Sequence, residues 1–136
     1  MAKVFTGRVV IPGDKIEEYF QAMAAAEEAR RPFRKYLEGL NEEFYEHLTR
    51  KFSERTARKH AGIIDMFIEF VVRQTDVESI EEITRGIVNT HFRKWYKHKV
   101  WDSATESDLK VAVRKFFTFL SEEKGITNEK VLKGLR

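Results

Sequence analysis

The chain has 136 residues, of which 42% are hydrophobic and 35% charged, with two prolines, seven glycines and no cysteine. That length makes one domain, and a hydrophobic fraction containing eleven Phe excludes a disordered chain, while the scarcity of Pro and Gly favours helices over sheet. The lack of cysteine excludes disulfides and thiolate-held metals, and nothing approaches the ~20 apolar residues of a membrane span or the apolar core of a signal peptide, so the reading is a cytoplasmic domain. Net charge is only +3, but it is unevenly placed. Residues 1 to 49 hold seven Lys and Arg against nine Asp and Glu, and residues 50 to 136 hold eighteen against thirteen. A basic excess in the second part is compatible with a nucleic-acid partner.

Lys3 to Ile11 is rich in Val and Ile and reads as a short strand or an extended arm, ended by Pro12-Gly13. Asp14 is a candidate N-cap for a helix over Lys15 to Ala29 with Ile16, Tyr19, Phe20 and Met23 as its apolar stripe. Pro32 suits the first turn of a second helix, running to Thr49, with Phe33, Tyr36, Leu37, Leu40, Phe44 and Leu48 on one side. Ser53 is the expected N-cap of a long helix to Arg73, striped by Ala57, Ala61, Ile64, Ile68 and Val71 and widened by Ile63, Phe67 and Phe70.

Thr75 to Ile83 reads as a connector, and Thr84 can cap a helix to His98 that turns Ile87, Val88, Phe92 and Trp95 inward. Thr105 or Ser103 can cap the next helix, whose stripe is Leu109, Ala112, Val113, Phe116 and Leu120 with Phe117 and Phe119 beside it, ending at Lys124-Gly125. Thr127 is the expected cap of a last helix over Asn128 to Leu135. The aromatic residues recur at helical spacing beside aliphatic ones, so they read as core rather than as base-stacking platforms.

Two helix openings carry the candidate chemistry. The first places Ser53, Arg55, Thr56, Arg58 and Lys59 in its opening turns, although the helix dipole alone would put cations at the other end. The second offers Ser103, Thr105 and Ser107, followed by Lys110 and Arg114 at i and i+4 along one face. A helix N-terminus presents free N–H groups and a positive dipole end, so hydroxyl and basic residues there suit a phosphate. The competing reading is an ordinary pair of capped, solvated helix starts, with Glu106 paired to Lys110.

For catalysis the residues speak mainly by omission. His47 to Arg50 has an H-x-x-R spacing and His91 and His98 stand seven apart, yet neither is joined by the partners of an acid–base or metal constellation. No glycine-rich phosphate loop, H-E-x-x-H or G-x-S-x-G occurs.

The order of motifs resembles the N-terminal core-binding, SAM-like domain of tyrosine recombinases, the phage integrase family. Ser53-Glu54-Arg55-Thr56 is followed by Phe67-Ile68-Glu69-Phe70, then Ile83-Thr84-Arg85-Gly86-Ile87, then Ser103-Ala104-Thr105 leading to Val113-Arg114-Lys115-Phe116-Phe117-Thr118-Phe119-Leu120. His60 stands where the family usually has an aromatic, Gly86 replaces an acidic residue, and Glu129 occupies a proline position after Asn128. The resemblance implies an all-α bundle of two crossed helical hairpins whose two basic helix openings approach duplex DNA. It places an N-terminal arm and helical extension over 1–49 and the core-binding domain over 50–136.

The expectation is therefore a DNA-binding module that needs no cofactor, metal or small-molecule substrate, makes no membrane contact, and lacks the strand-cleaving domain of the resembled family. Its partners would be double-stranded DNA and a catalytic domain or recombinase subunit. The alternative is a helical protein-interaction or dimerisation bundle, with Glu38, Glu42, Glu43 and Glu46 on its outward face.

Overall fold

The computed structural model describes residues 3–5, 10–99 and 104–135, and among these the architecture is all-α. A short 3-10 turn, Gly13–Lys15, leads into α1 (Ile16–Thr49), and α2 (Glu54–Gln74) returns antiparallel to it after a four-residue turn. A connector with a 3-10 turn at Ile80–Glu82 reaches a π-helical segment, Ile87–Phe92, which runs directly into α3 (Arg93–Lys99). Next come α4 (Glu106–Lys124) and a short α5 (Glu129–Leu135).

The largest departure from the sequence reading is α1, which is one helix of 34 residues with Pro32 inside it. At 1.5 Å per residue it is about 51 Å long. The stretch from Ala22 to Arg31 holds only alanine, methionine, glutamate and arginine, all strong helix formers, and offers no capping residue ahead of the proline. Pro32 removes one N–H donor, and the carbonyl it would have served belongs to Glu28, an exposed residue that water can reach. Asp14 does not cap the helix: it sits within the 3-10 turn, and Lys15 takes the cap position without a side-chain bond.

Only the C-terminal half of α1 enters the core. Leu37, Leu40, Phe44 and Leu48 are buried against α2, whereas Tyr36, expected on the same side, is exposed. Asn41 ties the two helices by donating to the Ala61 carbonyl at 3.0 Å and to Asp65 at 2.8 Å. The N-terminal half overhangs the end of α2, and Ile16, Phe20 and Met23 of its stripe are exposed. Where the overhang begins, Arg30 donates to the Val71 and Val72 carbonyls and Arg73 pairs with Glu27. The N-terminal residues behave as an arm: Val4 forms a single antiparallel bridge to Thr75, with Phe5 N–H on the Gln74 carbonyl and Asp76 N–H on the Lys3 carbonyl.

The aromatic residues pack with one another inside. Phe67, Phe70 and Tyr96 surround Phe92 with ring centroids 5.1 to 5.8 Å away, and Phe44 meets Phe116 at 5.2 Å, edge-on. Tyr96 is the fully buried aromatic of α3, and Trp95 is half-buried against the same cluster. The Thr84 hydroxyl accepts from Ile87 N–H, as a cap at that position should.

The last turn of the chain is fixed by Asn128 rather than Thr127. Asn128 is buried, accepts from Val131 N–H at 3.1 Å, and donates to the Ile80 and Ile83 carbonyls at 2.8 Å each. It therefore caps α5 and pins the connector to it. Thr127 instead meets Ser121 through the two hydroxyls. Glu129 falls at the first helical position, where no intrahelical N–H bond is required and where a proline would also fit.

Candidate nucleic-acid interface

The two basic helix openings, 49 residues apart at their link, lie side by side. Lys59 Nζ of α2 meets Asp108 Oδ1 of α4 at 3.1 Å. Asp108 is already the working residue of the α4 cap: its Oδ2 accepts from Thr105 N–H at 2.9 Å while its own N–H donates to Thr105 Oγ1 at 3.1 Å. One carboxylate thus closes a capping box and bridges two helix starts. Hydrogen bonds from Thr105 and Lys59 hold its carboxyl below the usual aspartate range.

At the α2 opening Ser53 is the cap, with its Oγ accepting from Thr56 N–H at 3.2 Å and donating to Thr56 Oγ1 at 3.1 Å. Arg55 is exposed and Thr56 half-buried. Arg58 is exposed and pairs with Glu54, and a hydrogen bond to Tyr45 together with the Glu54 charge raises its pKa above the ordinary arginine value. At the α4 opening, Thr105 rather than Ser103 is the cap; Ser103 lies outside the described residues. Ser107 and Arg114 are exposed, and Lys110 is half-buried, lining a tight cleft with Val88, Arg93, Leu109, Val113 and Leu135.

The expected Glu106–Lys110 pair does not form. Glu106 reaches Lys97 of α3 at 2.6 Å, and that contact lowers its pKa. Hence Arg55, Lys110 and Arg114 have no ion pair among the described residues. The pairs of Arg58 and Lys59 are solvent-exposed, worth at most about 1 kcal/mol each, and a phosphate can compete for them.

Residues 41–124 match the family model of the phage integrase N-terminal SAM-like domain. The chain belongs to that family. The matched span of this integrase SAM-like domain starts inside α1 at Asn41 and closes with α4, so it contains both openings and leaves the α1 overhang and α5 outside. No curated protein and no solved structure matches the chain.

Two cations absent from the sequence-derived set belong to the same face of this integrase-type domain. Lys115 places its ammonium 4.0 Å from the centre of the Phe52 ring, and Lys51 stands in the α1–α2 turn beside it. Both border an open groove of about 270 Å³ together with His47, Arg114, Phe119 and Glu122. The sequence contained a signal for them, since Lys51 precedes the Ser53 cap and Lys115 lies within the Arg-Lys-Phe-Phe run, but only the fold shows that they meet. Arg50 is not among the groove's walls, so the H-x-x-R spacing does not assemble a site there. Between the lysines, His60 of α2 is buried with its Nδ1 unpartnered, and burial first, then the Lys115 and Lys59 charges, push its pKa down. It acts as a neutral filler, which is the role an aromatic would play at that position.

Among the described residues, no group of His, Asp and Glu is placed to hold a metal ion, and no helix is long and apolar enough to cross a membrane.

Proposed function

We propose that this integrase SAM-like domain binds duplex DNA across the paired openings of α2 and α4, with Ser53, Arg55, Thr56, Arg58 and Lys59 on one side and Thr105, Ser107, Lys110 and Arg114 on the other. The observation that carries the reading is the Lys59–Asp108 link, which joins the two openings into one surface while Arg55, Lys110 and Arg114 keep their charges uncommitted. Family membership supports a recombinase-related role of this kind. The function proposed is to hold DNA, and no step of strand cleavage is assigned to these residues.

A grip of roughly 4–6 phosphate contacts would lose on the order of 10²–10³ in affinity over a fourfold rise in salt. An electrophoretic shift titration with mixed-sequence duplex at low salt tests this. Binding in the micromolar range with that salt dependence is expected, and no shift at tens of micromolar (~50 μM) would overturn it.

The α1 overhang favours a second reading. Ile16, Phe20 and Met23 form an exposed apolar stripe outside the family-matched residues, as a surface for another protein would. Under that reading the duplex shift fails and the chain instead associates through α1.

A further inference from the structure

The groove at the α1–α2 turn gathers more positive charge than its surroundings neutralise. Lys51, Arg114 and Lys115 line it, while Glu122 is the one carboxylate among its lining residues. None of the three cations has an ion pair among the described residues. They are close enough to disturb one another: burial pushes the Lys115 pKa down, and the Arg114 and Lys51 charges push it further. Phe52 and Phe119 supply an apolar floor that weakens local screening, and the Phe52 ring receives the Lys115 ammonium at 4.0 Å. Like charges held together against apolar surface cost free energy unless an anion joins them.

We infer that this groove seats a DNA backbone phosphate and extends the DNA-binding surface from the two helix openings to the α1–α2 turn. The inference rests on the duplex-binding reading above. Arg114 makes the connection, because it belongs both to the exposed α4 face and to the groove wall. A phosphate there would face three donors from two elements, Lys51 from the turn and Arg114 and Lys115 from α4, and would relieve their mutual repulsion.

The test is the salt dependence of binding to a fluorescently labelled duplex, measured by anisotropy with the full chain. Replacing both lysines, Lys51→Gln with Lys115→Gln, should flatten the slope of log affinity against log salt by about 1.8, at roughly 0.9 per lost phosphate contact. Lys115→Arg should keep the wild-type slope, since it preserves the charge. Lys51→Gln alone alters an exposed side chain and should remove about 0.9, so it serves even if the paired variant folds poorly. If the wild type binds, and Arg55→Gln with Lys110→Gln flattens the slope while the lysine pair does not, the groove inference is overturned and the two-helix reading stands. If the wild type does not bind duplex, both are overturned.

Discussion

Replacing Asn128 by alanine should unfold this domain well before any change on its basic face does. The Asn128 side chain makes three bonds at 2.8, 2.8 and 3.1 Å from a buried position. Each such bond contributes about 1 kcal/mol net, and the loss is deepened because the Ile80 and Ile83 carbonyls are left without this donor in the interior. The expected cost is about 3 kcal/mol. With an unfolding entropy of roughly 2.1 cal/mol/K per residue, that is a fall of about 10 °C in melting temperature for a chain of this size. Thr127→Ala is the matched control. Its hydroxyl meets only Ser121, at an exposed site, so the expected change is below about 0.5 kcal/mol. Urea and thermal unfolding followed by circular dichroism measure both. If Asn128→Ala and Thr127→Ala lose the same stability, the latch between the connector and α5 is not what the structure indicates.

His60 gives a pH prediction. Its folded pKa lies below the ordinary value of 6.5, so protonation favours the unfolded chain, and the stability it contributes is full above that value and is lost as pH falls through it. The melting temperature should therefore drop between about pH 7.5 and 5.5, and His60→Phe should abolish that drop. An unchanged slope in the variant would assign the drop elsewhere. The depressed Asp108 carboxyl acts in a separate window, losing its contribution only as pH falls below the ordinary aspartate value of 3.8 toward its folded pKa. Gly125 ends α4 at φ 68°, the left-handed region, with its N–H and that of Ile126 on the Leu120 carbonyl. Gly125→Ala should cost about 1 kcal/mol in urea unfolding, and a neutral substitution would contradict a left-handed cap.

The helix content and the core were legible because their signals are periodic. The stripes of α2 and α4 and the Ser53 and Thr84 caps lie where spacing and cap chemistry put them, and the family resemblance agrees with the matched domain over 41–124. Pro32 misled because proline marks a helix start in sequence, yet a solvent-facing carbonyl lets a strong helix pass through it. Thr127 misled because cap preference alone cannot separate two adjacent candidates; Asn128 wins through the Ile80 and Ile83 carbonyls, which only the fold brings within reach. The same limit applies to the basic face. Local spacing suggested Glu106 with Lys110, whereas Lys97 of α3 captures Glu106, and the meeting of Lys51 with Lys115 is a tertiary event.

The paired-opening account is tested most directly by comparing the salt dependence of duplex binding for the wild type, Arg55→Gln, Arg114→Gln and the combination. These two arginines sit on different helices and have no ion pair to lose among the described residues, so their removal reports on DNA rather than on the fold. Each single change should flatten the slope by about 0.9 and the combination by about 1.8, because both helices would touch the same duplex. A wild-type slope retained by either single variant would contradict a grip made by α2 and α4 together.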